Sequence, residues 1–307
     1  MEEVILRTVN LTKKYKNISA FENINMTIKK GQIYGFIGQN GAGKSSFMRT
    51  IVGLALKTSG DIELFGESDE DKIQEAKKRI GCLIESPAFY EDESVYINLN
   101  INRIQKGIPG KGCIDEVLTM VGLLNQKYKK AGKLSTGMKQ KLGIAMAMLG
   151  KPEFLILDEP INGIDPMGIV EIRELLKKLN LEQGVTILIS SHILGELYQL
   201  ANCYGIINKG KLIEELTLEE LNEKCKRFLY IEVDDVSKSS CVIEKELHTK
   251  NFEVLPQNNI KLYDFLDSPG EVSNALFRAG IMVKEIRVAG EDLETYFTKA
   301  IRGEKNA

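Results

Sequence analysis

Four apolar runs, Ile33–Ile37, Ile80–Ile84, Phe154–Leu157 and Val185–Ile189, recur along the first two thirds of the chain with little polar interruption. Such runs fit strands buried on both faces of a parallel sheet, because alternation is lost where neither face meets water. Phe47, Met48, Ile51 and Val52 follow the first run at helical spacing. The pattern predicts an α/β core with a mostly parallel sheet. The core should occupy residues 1–218.

The periodicity changes in the last third. Phe228–Val233 alternates as a strand, and Ser237–Thr249 is helix-like. Phe252–Leu255 and Ile260–Phe265 flank the turn cluster Pro256-Gln257-Asn258-Asn259. Val272, Ala275, Leu276 and Ala279 mark a helix face, and Ile281–Val288 closes as a strand. This order, βαββαβ, is a ferredoxin-like plan and predicts a small α+β accessory domain over 219–307. Leu293, Tyr296, Phe297, Ala300 and Ile301 form one stripe of a final helix, either core or dimer contact. No catalytic constellation lies here, so regulation or interaction is the expected role.

The first strand runs into Gly38-Gln39-Asn40-Gly41-Ala42-Gly43-Lys44-Ser45 and then the helix. A G-x-x-x-x-G-K-[ST] segment between strand and helix is a phosphate-binding loop (a Walker A motif). Its glycines let successive N–H groups turn inward around an anion, and the helix N-terminus adds partial positive charge. Lys44 can reach the β- and γ-phosphates, and the Ser45 hydroxyl can ligate Mg²⁺.

Two other strands end in chemistry. Phe154–Leu157 delivers Asp158, suited to the Mg²⁺ held by Ser45, and Glu159, suited to activating a water. Val185–Ile189 delivers Ser190, Ser191 and His192 to a strand end, where open parallel sheets place ligands, and His192 could donate to a γ-phosphate. Ile80–Ile84 reads as a buried strand delivering Glu85 to a Ser-Pro turn. The other histidine, His248, sits in a polar stretch and reads as surface.

Charge and composition narrow the partners. Lys plus Arg total 41 against 43 acids in 307 residues, so no global basic field points to nucleic acid or an anionic membrane. Lys127, Lys129, Lys130 and Lys133 read as a solvated face. The scattered Cys82, Cys113, Cys203, Cys225 and Cys241 read as reduced, buried thiols of a cytosolic protein. The acidic N-terminus lacks a signal-peptide pattern, and no apolar stretch is long enough to span a bilayer. A membrane role is therefore expected only through a partner.

Leu134-Ser135-Thr136-Gly137-Met138 begins a helical segment between the phosphate loop and the acidic strand. In this order the motifs resemble those of the nucleotide-binding subunit of an ABC transporter, over roughly residues 3–215, and the resemblance implies a P-loop core with a helical subdomain inserted near residues 88–150. Thr136 and Met138 replace the family's second Gly and Gln, while Ser135 and Gly137 keep the part that faces a γ-phosphate.

The resemblance implies an ATPase that powers transport through a separate membrane-spanning permease, peripheral on the cytoplasmic face of the membrane. ATP would be held by Gly38, Gln39, Asn40, Gly41, Ala42, Gly43, Lys44, Ser45 and Ser46, with Tyr15 stacked on adenine. Ser135 and Gly137 would come from a second copy in a head-to-tail homodimer, with the Asp165 loop communicating across it. Mg²⁺ would be held by Ser45, Asp158 and Glu85, and catalysis carried by Glu159, His192, Lys44 and Glu85. Glu85 stands where most members carry Gln. With the Pro and aromatic pair after it, the segment looks like the bacitracin and lantibiotic resistance exporters. The competing expectation is a soluble cassette ATPase acting on ribosomes or DNA, although neither a second phosphate loop nor sustained heptads occur.

Overall fold

In the computed structural model, which describes residues 3–302, the chain opens with a long hairpin, β1 (Val4–Tyr15) and β2 (Ile18–Lys29). β3 (Ile33–Ile37) leads into α1 (Lys44–Val52), β4 (Ser59–Leu64), α2 (Glu70–Ala76) and β5 (Ile80–Leu83). Three helices follow, α3 (Val95–Gln105), α4 (Gly112–Met120) and α5 (Thr136–Met148), before β6 (Phe154–Asp158). After α6 (Pro166–Gln183) come β7 (Thr186–Ser191), α7 (Leu194–Tyr198), β8 (Cys203–Asn208) and β9 (Lys211–Thr217). These elements belong to the first of two units, Met1–Leu218.

The main sheet has the order β5-β6-β7-β3-β8-β9. Every pairing from β5 to β8 is parallel, and only β9 runs against its neighbour. β3, β6 and β7 are buried at every position, so their unbroken apolar runs have no face to give to water. Parallel pairing also brings the strand ends together. Ile37 lies opposite Ser191, Asp158 opposite Ser190, and Leu83 opposite Leu157. The loops after β3, β5, β6 and β7 therefore leave from one edge of the sheet. β5 departs from the expectation of a buried strand: it is an edge strand, and Cys82 on it is exposed. Among the described residues no two cysteines form a disulfide; Cys82 and Cys241 are exposed and the other three partly covered, which corrects the reading of buried thiols.

A separate antiparallel sheet, β2-β1-β4, was not expected from the apolar runs. Its strands are half-buried and bulged, so their patterning is broken. Phe21 from β2 and Phe36 from β3 clasp the α1 residue Phe47, with ring centroids 5.5 and 5.3 Å away. All three are fully buried, and this cluster seats the helix that follows the phosphate loop.

The inserted helices are tied at two points to the segment that follows β5. Asn98 on α3, 2% exposed, accepts from the Tyr90 N–H at 2.7 Å and donates to the Tyr90 carbonyl at 3.0 Å, pinning the segment after Glu85. On α5, a Cβ at Gly143 would stand 2.8 Å from the Pro87 ring, so only glycine lets this helix approach that loop.

The second unit, Glu219–Ala307, takes in most of α8 (Leu218–Lys224), then β10 (Phe228–Val233), α9 (Val236–Lys245), β11 (Phe252–Leu255) and β12 (Asn259–Leu262). α10 (Pro269–Arg278), β13 (Val283–Ala289) and α11 (Leu293–Arg302) end it. Its strands pair in the order β11-β12-β10-β13, all antiparallel, a ferredoxin-like arrangement. Leu229, Ile231, Ile260 and Leu262 from the sheet pack with Ile243, Val272 and Leu276 from the helices. α9 stops at Lys245, short of the expected Thr249, because His248 turns to φ 54° and Thr249 and Asn251 bond to Asp264. His248 itself is exposed. The stripe on α11 buries its Tyr296 and Phe297 rings within the chain, 2% and 4% exposed.

Candidate nucleotide site

The loop from Gly38 to Ser45 wraps the start of α1. Gly43, at φ 109°, precedes the helix, and a Cβ there would stand 2.6 Å from the Ala20 carbonyl. Only glycine satisfies both the left-handed backbone and the close approach. The Gly210 N–H, from the turn between β8 and β9, donates to the Ala42 carbonyl at 3.0 Å and braces the loop from outside. The motif reading missed Gly210, whose only sequence signal is the Lys209-Gly210 turn pair.

Lys44 is 5% exposed. Its ammonium donates to the carbonyls of Gly38 at 2.6 Å and Gln39 at 3.2 Å, and lies 3.2 Å from Oε1 of Glu159. The other Glu159 oxygen, Oε2, is 2.5 Å from Nδ1 of His192. A carboxylate only accepts, so Nδ1 carries the proton in this contact. Three of the four residues expected in catalysis thus form one chain, Lys44–Glu159–His192.

A second chain fixes the adjacent acid. Asp158 is 3% exposed and accepts from the Ser190 hydroxyl at 2.6 Å, while that oxygen accepts from the Glu159 N–H at 2.9 Å. Glu159 adopts φ 49°, so the chain bends between the two acids. Ser190 was noted as a strand-end residue without a role. Its signal is the small hydroxyl on β7 in register with Asp158 on β6, which requires knowing that these strands are neighbours.

The donor set suits a hard cation. The Ser45 hydroxyl at the start of α1 and the second oxygen of Asp158 offer oxygen donors of the kind Mg²⁺ takes alongside waters and substrate phosphates. Among the described residues, no three His, Cys, Asp or Glu side chains group as a metal cage.

The remaining expected residues are placed as follows. Tyr15 ends β1 with its ring 46% exposed and the Lys13 ammonium 4.5 Å from its centroid. It pairs with Ile18 at the hairpin tip, two residues before Ala20, which abuts Gly43. Ser135 caps α5 by accepting from the Met138 N–H at 3.3 Å, and Gly137 lies against Ile164. Asp165 caps α6 by accepting from the Gly168 N–H at 3.4 Å. Among the described residues, Ser135 and Gly137 make no hydrogen bond or ion pair with Lys44, Glu159 or His192. Glu85 has φ 62°, and its carboxylate pairs with Arg49 on α1. The sequence reading had not singled out Arg49.

Comparison with known proteins adds the lineage. A family model described as ABC transporter matches residues 21–162. The bacitracin transport ATP-binding protein BcrA of Bacillus licheniformis is 42% identical over 299 residues, covering 97% of this chain and 98% of that protein. The lantibiotic transport ATP-binding protein SrtF of Streptococcus pyogenes is 42% identical over 211 residues, covering 69% of this chain and 90% of that protein. Among solved structures, the dimeric post-hydrolysis ATP-binding cassette MJ0796 bound to ADP and Pi superposes with a TM-score of 0.63 at 25% identity. It covers 70% of this chain and 99% of that chain.

Proposed function

This chain belongs to the ABC transporter family as one of its ATPase subunits, and we propose that it powers export of a peptide antibiotic through a separate membrane-spanning permease. The observation that carries the ATPase chemistry is the Lys44–Glu159–His192 chain beside the Asp158–Ser190 pair, on the sheet edge that also bears the phosphate loop. The cargo reading rests on the bacitracin and lantibiotic transport relatives.

In this reading the Gly38–Ser46 loop cradles the ATP phosphates with backbone N–H groups, and Lys44 neutralises the β- and γ-oxygens. Ser45 and Asp158 hold Mg²⁺, which when bound offsets the charge on those oxygens. Glu159 takes a proton from the attacking water, and His192 orients its carboxylate. Tyr15 stacks on the adenine. Ser135 and Gly137, which make no hydrogen bond to this cluster within the described chain, complete the site from a second copy arranged head to tail. A catalytic set split in this way makes hydrolysis depend on dimer closure.

The permease docks beside the Glu85 loop. A cavity of about 290 Å³ there is lined by Ala88, Phe89, Tyr90, Ile101, Asn102 and Met146. Tyr90 is 59% exposed, and the buried Asn102 Oδ1 has no partner within the described chain. A groove that mixes apolar side chains with the amides of Asn98, Asn102 and Gln105, one of them with an unmet acceptor, suits a partner segment that offers apolar side chains and an N–H or O–H donor. Among the described residues no helix is long and apolar enough to cross a membrane, and the subunit sits on the cytoplasmic face through this partner.

The test is purification of the tagged chain from its own cells. Mg²⁺-dependent ATP hydrolysis with co-purification of a polytopic membrane protein, and loss of bacitracin-type resistance on deletion, is the expected result. Recovery with ribosomes or DNA instead would sink the transport reading.

A further inference from the structure

Glu85 and Arg49 form an ion pair that no part of the hydrolytic chemistry above requires. Arg49 sits on α1 four residues after Ser45, so both side chains lie on the same helix face, one turn apart. Glu85 leaves the same sheet edge two residues after β5 and holds a left-handed backbone, φ 62°. That conformation is unfavourable for a residue with a Cβ, and contacts made by the side chain must help to sustain it. The side chains are 34% and 63% exposed, so the pair is open to water and exchangeable.

We infer that Arg49 is a positioning residue that parks the Glu85 carboxylate against the helix face that carries Ser45 one turn earlier. This rests on the reading of Ser45 as a Mg²⁺ ligand. Arg49 and the metal then compete for one carboxylate along one helix face. An amide at position 85 would feel neither cation at full strength, since it carries no charge. Glu with Arg49 makes a two-position lever: the carboxylate rests on the guanidinium and moves toward the metal when the loop relaxes from its left-handed turn. The loop is also pressed onto α5 through Pro87 and Gly143, so its position is felt by the helix that Ser135 caps.

The experiment is equilibrium binding of a fluorescent ATP analogue to the full chain, titrated with Mg²⁺. Arg49→Ala should reach half-maximal binding at about two- to fivefold lower Mg²⁺ than the parent, the span that an exposed ion pair contributes. Arg49→Lys should stay close to the parent. In a Glu85→Gln background, Arg49→Ala should change nothing, because the competition has lost its carboxylate. Arg49→Gln supplies the same comparison if the alanine variant melts early. An unchanged Mg²⁺ midpoint in a folded, nucleotide-binding Arg49 variant overturns the inference, as does a shift that persists with Gln at position 85. A parent chain that binds no nucleotide at any Mg²⁺ concentration overturns the ATPase reading and this inference together.

Discussion

The two sheets that end in loops of very different content share a chain and little else. In the main sheet five strands run parallel, so the ends of β3, β5, β6 and β7 all open on one edge. That edge collects Lys44, Glu85, Asp158, Glu159 and His192 from four segments spread between positions 44 and 192. In the second unit every pairing is antiparallel, so the ends of neighbouring strands alternate between edges. Its polar groups are spread over a sheet face instead: Lys261 lies over Phe228, Arg287 over Tyr230 and Lys226 over Tyr263. Those cations are each matched to a ring, and the Lys284–Glu232 pair at 3.2 Å, where β13 starts beside the end of β10, is a half-exposed surface ion pair with no phosphate loop beside it. Strand direction, more than residue content, decides which region can assemble a catalytic set.

The sharpest way to break this contrast is at Glu159. Glu159→Gln should still bind ATP and accumulate as an ATP-bound dimer, yet lose hydrolysis by about 10²–10⁴-fold, the usual contribution of a general base. Phosphate release and sizing chromatography measure both; near-normal turnover would take Glu159 out of the mechanism.

Next in size is Ser190→Ala, which strips the hydroxyl shared by Asp158 and the Glu159 N–H. Leaving a buried group without its partner costs about 1–3 kcal/mol. The variant should melt earlier and need more Mg²⁺ for nucleotide binding, whereas Ser191→Ala on the same strand should change the Mg²⁺ requirement little.

A smaller effect belongs to the far half of β3. There the Tyr34 hydroxyl donates to Glu215 at 2.6 Å. Burial holds the Glu215 carboxyl above its ordinary range, offset in part by that bond and by the Thr27 backbone. The protonated acid is therefore the form the fold prefers. Its contribution is complete below the ordinary value of 4.5 and is lost as pH rises through the raised one. Glu215→Gln should flatten the fall in melting temperature across that window, and an unchanged pH slope would remove Glu215 from the account.

Smallest of all should be the effect of removing the second unit. A chain ending at Leu218 should bind Mg²⁺·ATP within about twofold of the parent, because every phosphate-loop and strand-end residue precedes that point. A folded, truncated chain that cannot bind ATP would end the proposed division of labour.

Much of this molecule follows from the order of residues alone. The unbroken apolar runs specify strands buried on both faces, and Gly43 before Lys44 specifies a loop that no side-chained residue could form. The acids and histidine directly after such runs mark strand ends. The alternation in 228–233 likewise announced a half-buried strand of a different kind of sheet. Local sequence cannot state which strands become neighbours, because pairing is settled by the packing of segments far apart in the chain. Only the tertiary structure put β7 between β6 and β3, and so made Ser190 the link between Asp158 and Glu159. It also put β5 on the outside, exposing Cys82, and laid Glu85 along α1 within reach of Arg49. The antiparallel sheet β2-β1-β4 escaped notice for the same reason. Its bulged strands carry a broken alternation, and their burial comes from α1 and Phe47, contacts between segments far apart in the chain.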